Sequence, residues 1–146
     1  MVTKRKFKIG AKNKGGSNMN KRFQKISTIL IWSENFRALA DWYLKVFEFK
    51  VVEELDHPQD TGVLFEVSPN TAWIWIGQHS EVKGKNKDAC RHMFNLSVDS
   101  VEDTYKYLKQ KGAEFVAEPF KAPVSDSYFA TFLDLDGNMI QIIGGK

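Results

Sequence analysis

A single cysteine, Cys90, and four prolines are all that 146 residues contain of either type. One cysteine excludes an intrachain disulfide, so the fold has to rest on packing, and a reducing cytoplasm is the expected location. Long apolar runs are missing too: none approaches the roughly 20 residues that cross a bilayer. The basic N-terminus is not followed by the continuous apolar segment of a secretory signal. No membrane partner is expected. Also absent are a phosphate-cradling glycine loop, paired Cys/His zinc spacings and a nucleophile elbow. Cys90 has no readable triad partner for a nucleophilic role. Acidic residues, finally, are missing from one region. Residues 1–25 hold nine of the 21 Lys and Arg and none of the 18 Asp and Glu. The other 12 bases face all 18 acids, so a net charge of +3 conceals a body of −6. The leader can touch polyanions electrostatically, but Gly15-Gly16-Ser17-Asn18 marks it as a solvated, disordered segment. Nucleic acid is not expected as a partner on that ground alone.

Beyond the leader, 1–24, the chain reads as one domain over 25–146. Residues 26–32 form a β-branched run and predict a strand. Ser33-Glu34-Asn35 then supplies a helix start. Phe36, Leu39, Ala40, Tyr43, Val46 and Phe47 recur at helical spacing along one apolar stripe. A second strand begins at Val51-Val52, and His57-Pro58-Gln59-Asp60 makes a loop. Val63–Val67 and Ala72–Ile76 read as two more strands about a turn at Ser68-Pro69-Asn70. Residues 82–88, rich in lysine, glycine and asparagine, have linker chemistry. The order then repeats. Met93–Val98 predicts a strand, and Ser100-Val-Glu-Asp103 resembles a capping box. Val101, Tyr105 and Leu108 mark a buried helix face that Gly112 ends. Phe115–Ala117, Tyr128–Leu133 and Met139–Ile143 complete the set of strands. Even the letters repeat: Trp42-Tyr-Leu-Lys45 echoes Lys106-Tyr-Leu-Lys109. The fold class expected is α+β, with two tandem β-α-β-β-β modules over about 26–82 and 90–146.

The last hairpin carries a specific resemblance. Asp134-Leu-Asp136-Gly137-Asn138 between apolar strands, ending at Gln141, is similar to the final hairpin of the glyoxalase/bleomycin-resistance/dioxygenase group, the vicinal-oxygen-chelate superfamily. The first helix, from Asn35 through Trp42-Tyr43 to Val46-Phe47, resembles that group's first helix, with Glu48 standing where glycine is usual. The likeness covers roughly 26–144. It implies sheets curled about a cavity with helices outside, commonly in a homodimer. In metal-dependent members it also implies a divalent ion held by His and Glu from the cavity-facing strands.

The ligand positions are carried over by strand parity, since alternate residues face opposite sides of a sheet. They fall on Thr28, Trp75, Met93 and Gln141. Threonine and glutamine are weak neutral donors and tryptophan offers no lone pair, so no metal and no other cofactor is expected. His92, one residue from the expected place, is the only plausible remnant; His57 and His79 fall in loops. Asp134 and Asp136 are assigned to turn formation rather than acid–base work, and Gly144-Gly145 to a chain end. No catalytic residue is assigned.

The same parity turns Thr28, Leu30, Trp32, Trp73, Trp75, Met93, Asn95, Phe129, Thr131 and Gln141 toward the cavity. Three of the four tryptophans thus line one concave surface, where an indole N–H wants a partner. Rings that merely fill the cavity are the plain alternative. A bound planar or cationic molecule explains the choice of tryptophan better. The function expected is binding of a small organic molecule in an aromatic-lined, metal-free cavity. The alternatives are a divalent-metal-dependent lyase, isomerase, thiol transferase or dioxygenase, and a partner-binding scaffold without catalysis. A chain shortened to begin at Met19 is expected to melt within a few degrees of the full chain, as a differential scanning measurement will register. A large loss of stability would mean that the leader packs on the body.

Overall fold

The computed structural model describes residues 22–146. The basic leader, its last residues apart, lies outside the described residues. Ten elements follow in order: β1 (Thr28–Trp32), α1 (Phe36–Phe47), β2 (Lys50–His57), β3 (Asp60–Glu66), β4 (Trp73–Gly77), β5 (Phe94–Ser100), α2 (Val101–Gln110), β6 (Glu114–Lys121), β7 (Tyr128–Leu133) and β8 (Met139–Gly145). They make two β-α-β-β-β modules, each with a four-stranded mixed sheet. The orders are β1-β4-β3-β2 and β5-β8-β7-β6. In each sheet the first and last strands of the module pair in parallel, and the other pairs are antiparallel.

Local chemistry accounts for the element ends. The α1 stripe of Phe36, Leu39, Ala40, Tyr43 and Val46 is buried. At the start of α2 the Ser100 hydroxyl accepts from the Asp103 amide at 3.2 Å, as the capping pattern predicts. Gly112, at φ +94°, ends the turn after α2 in a conformation that other residues resist. The loop expected at residues 57–60 is a tight hairpin, with His57 and Asp60 still paired across it. Glu48 caps α1 in the left-handed region at φ +57°. Its carboxylate explains why a non-glycine is kept there: it accepts from the Tyr107 hydroxyl at 2.7 Å and from the Lys111 ammonium at 3.2 Å, binding the end of α1 to the second module.

The helix-facing sides of both sheets enter one apolar core. Ile74 and Ile76 from β4, Ala130 and Phe132 from β7, and Ile140 and Ile142 from β8 are buried in it. The Phe47 and Phe132 rings, one from each module, lie 5.9 Å apart. Each fully buried large apolar side chain contributes roughly 1.5–3 kcal/mol. One polar contact crosses this core. The Tyr43 hydroxyl donates to Asp134 Oδ2 at 2.9 Å. The same carboxylate accepts from the amides of Asp136 and Asn138 and from the Asn138 side chain, each at 2.9 Å. Asp134 therefore shapes the last hairpin, as the sequence suggests, and also ties it to α1.

Burial raises the Asp134 pKa, while the hydrogen bonds from Asn138, Tyr43 and Asp136 pull it back down. Burial, then the neighbouring Asp134 charge, pushes the Tyr43 phenol well above its ordinary value. Tyr43→Phe deletes one donor that favours ionised Asp134, so the carboxyl pKa rises further in the variant. Its stability deficit is expected to be about 1.5–3 kcal/mol at neutral pH, the range for a hydrogen bond to a charged group. By linkage the deficit shrinks as pH falls through the raised Asp134 pKa, because the protonated acid gains less from the lost donor. Urea unfolding of both chains at several pH values measures it. A pH-independent deficit would mean that Asp134 is not ionised in the fold.

Candidate functional site

Sheet register decides which side chains share a face. Val63 and Phe65 on β3 lie opposite Ile76 and Ile74, all turned to the core. Leu64 lies opposite Trp75, and Trp75 opposite Leu30, so these three share the outward face. One row along, Trp32, Gly77, Gly62 and Leu55 are aligned across all four strands. Thr28 is opposite Trp73. The first-module residues expected at the site, Thr28, Leu30, Trp32, Trp73 and Trp75, are thus brought together on a single face.

They are not equivalent on it. Leu30 is 57% exposed and Trp73 41%. Trp75 is only 7% exposed, because its indole lies over Gly62 and Gly77, where any side chain would collide with the ring. Two strand-interior glycines thus clear the floor for one tryptophan, a use of glycine that weakens a strand locally but admits close approach. The Trp32 ring sits edge-on to His79, with centroids 5.4 Å apart. Trp32 also borders a hollow of about 310 Å³ formed with linker residues 81–86, Asp136 and Asn138.

In the second module, Asn95, Gln141, Thr131 and Ala117 form one cross-strand row. The Gln141 amide donates to the Thr131 hydroxyl at 3.0 Å. Phe129 lies beside this row and stacks on Phe120 at 5.7 Å. Met93 precedes β5 and is 41% exposed. This face has a polar centre with an aromatic flank, where the centre of the first module's face is built of tryptophan and leucine. Because the helix-facing sides of both sheets meet in one core, the two outward faces turn away from it. The two halves of the expected site stand on the outward faces of two different sheets.

Between the modules a cleft of about 490 Å³ opens on the helix-facing side, lined by Phe47, Phe49, Val67, Phe94, Leu96 and Val98 among others. Of the ten residues expected at the site it touches only Asn95. Leu55, Leu64 and Phe120 also lie on the outward faces and were not expected there; bulges in β2 and β6 hide the parity of Leu55 and Phe120, whereas Leu64 sits on the regular β3 and is legible from its alternation.

The donor set does not fit a divalent ion. Asn95 is the β5 residue directly opposite Gln141, so the second module offers amides and a hydroxyl, and the first offers Thr28 among indoles. His92 is exposed ahead of β5. Among the described residues no group of three His, Cys, Asp or Glu is placed to hold a metal. Such ions need imidazole or carboxylate donors. Cys90 is exposed. Among the described residues no helix is long and apolar enough to cross a membrane.

Comparison with solved structures finds the same fold repeatedly at low identity. UcmS2 is 17% identical with a TM-score of 0.70, over 83% of this chain and 98% of that one. A glyoxalase/bleomycin resistance protein/dioxygenase superfamily member from Sphaerobacter thermophilus DSM 20745 is 16% identical at a TM-score of 0.70, over 84% and 98%. A mutant glyoxalase I from Zea mays is 19% identical at 0.67, over 82% of this chain and 44% of that one. Comparison with curated proteins finds no match. The sequence profile that matches spans residues 25–142, nearly the whole described body, and with it the tandem modules and their final hairpin make this chain a member of the Glyoxalase/Bleomycin resistance protein/Dioxygenase superfamily.

Proposed function

We propose that this protein binds a small planar organic molecule, without a metal, in a cavity assembled from two copies of the chain. The observation that carries this reading is the outward face of the first sheet. Leu30, Trp32 and Trp73 are left substantially exposed there, and Trp75 is laid flat over two glycines beside them. Large exposed apolar patches on a folded chain mark binding or association surfaces. Apolar filler needs no indole, whereas stacking on a flat ligand uses it. The second module's outward face, with Asn95, Gln141 and Thr131, offers amide and hydroxyl groups to orient such a ligand.

In one chain these faces belong to different sheets, and in the proposed assembly a second copy related by a two-fold axis brings the first module of each over the second module of the other. Two equivalent cavities result, each lined by the residues named from sequence. A homodimer is therefore part of the proposal. The donor set argues against the metal-dependent lyase, isomerase or dioxygenase chemistry of the superfamily, and no observation favours it or a scaffold role.

Sedimentation of the full chain at micromolar concentration is expected to give a dimer, and Leu30→Asp to give a monomer. Planar aromatic compounds are expected to quench tryptophan fluorescence in the wild type. Trp73→Ala should weaken that binding by up to roughly thirty-fold, from stacking worth about 0.5–2 kcal/mol. A monomeric wild type, or binding untouched by Trp73→Ala, overturns the proposal. One tightly held metal ion per chain, lost on His92→Ala, would favour an enzyme instead.

A further inference from the structure

We infer that Glu53 selects the ligand's charge, so that the molecule taken up is a planar aromatic bearing a positive group. This rests on the reading that the aromatic face binds a planar ligand, and adds to it the chemical class. The placement of Glu53 follows from an irregularity in β2. Val51 lies opposite Phe65, on the core side, but the next paired residue is Glu53, opposite Leu64, with the register shifted between them. Plain alternation would turn residues 51 and 53 to the same side. The extra residue, Val52, breaks that alternation and re-aims Glu53 to the outward face, which is a recurrent use of a bulge.

Glu53 thereby ends a continuous row, Leu30–Trp75–Leu64–Glu53, that crosses the whole sheet. Among the described residues no ion pair engages it. Lys50 is the only lysine or arginine among the strand residues of that face, and it is engaged by Glu66 at 3.5 Å. The remaining acid, Asp60, sits opposite His57 at the hairpin tip. On the second module's outward face, Asn95, Gln141 and Thr131 are neutral. A ligand stacked beside Trp75 therefore meets a carboxylate that no described residue pairs with, at the edge of an indole surface. Indole faces also attract cations through their quadrupole. Both features favour positive charge in a partly dehydrated site, where Coulomb attraction is far less screened than in water. Neither favours an anion.

Calorimetric titration of the full chain with acridine, at a pH where it is uncharged, and with N-methylacridinium separates shape from charge. The expected result is about tenfold tighter binding of the cation, equivalent to about 1.4 kcal/mol. Glu53→Gln should remove most of that preference, leaving only what the indole faces contribute, and change acridine affinity far less. Glu54→Gln makes the same charge change on the same strand, but residue 54 lies opposite core-facing Val63, so the preference should survive. Binding of both probes without a preference, or a preference undiminished in Glu53→Gln, overturns the role of Glu53 while the aromatic site stands. Failure of the wild type to bind either probe overturns both. Matching melting curves exclude a loss of fold as the cause.

Discussion

The hydrogen bond from Tyr43 to Asp134 is the constraint on which the arrangement of the modules turns. Burying a carboxylate is costly unless its lone pairs are met, and here every neighbour that meets them is fixed in place. Asp136 and Asn138 belong to the tight turn whose glycine, Gly137, lies at φ +79°. Tyr43 belongs to the other module, on the face of α1 that packs on its own sheet. The last hairpin and the first helix are consequently held in one geometry. The linker reinforces it: the Asn86 amide donates to the Asp136 carbonyl at 2.8 Å, and its side chain to Asn138 at 3.0 Å.

Joining the modules through their helix-facing sides has a consequence for the opposite faces. Each sheet uses one side to exclude water and leaves the other outward. On an ordinary surface that outward side would be polar, yet the first sheet carries Leu30, Trp32 and Trp73 there. That exposure is costly for an isolated chain, and in the proposed assembly a second copy and a ligand cover the face. Gly62 and Gly77 point the same way, since they forgo side chains of their own so that Trp75 can lie flat.

Much of this is legible in the sequence. Period-two and period-3.6 patterns located every strand and both helices, and Tyr128–Leu133 was recovered to the residue. The Ser100 cap and the stop at Gly112 followed from short-range chemistry that needs no tertiary context. Parity also assigned the faces of β1, β4 and β8 correctly, because those strands run without a bulge through the residues concerned. On β2 and β6 the register shifts break the alternation, so the faces of those strands follow from the pairing and not from parity.

The sequence by itself determined the tandem modules, the superfamily, the acidic body and the poverty of metal donors at the ligand positions. Each of these is a property of residue type and local order, which survives any rearrangement of the chain in space. Tertiary structure alone decided that Asp134 reaches across to Tyr43, 91 residues away, and that Glu48 holds a left-handed cap for the sake of Tyr107 and Lys111. It alone put the Trp75 row and the Gln141 row on different sheets, and turned Glu53 to the side of Leu64. Those outcomes depend on how two sheets dock and where a strand slips by one residue, and neither leaves a period in the sequence.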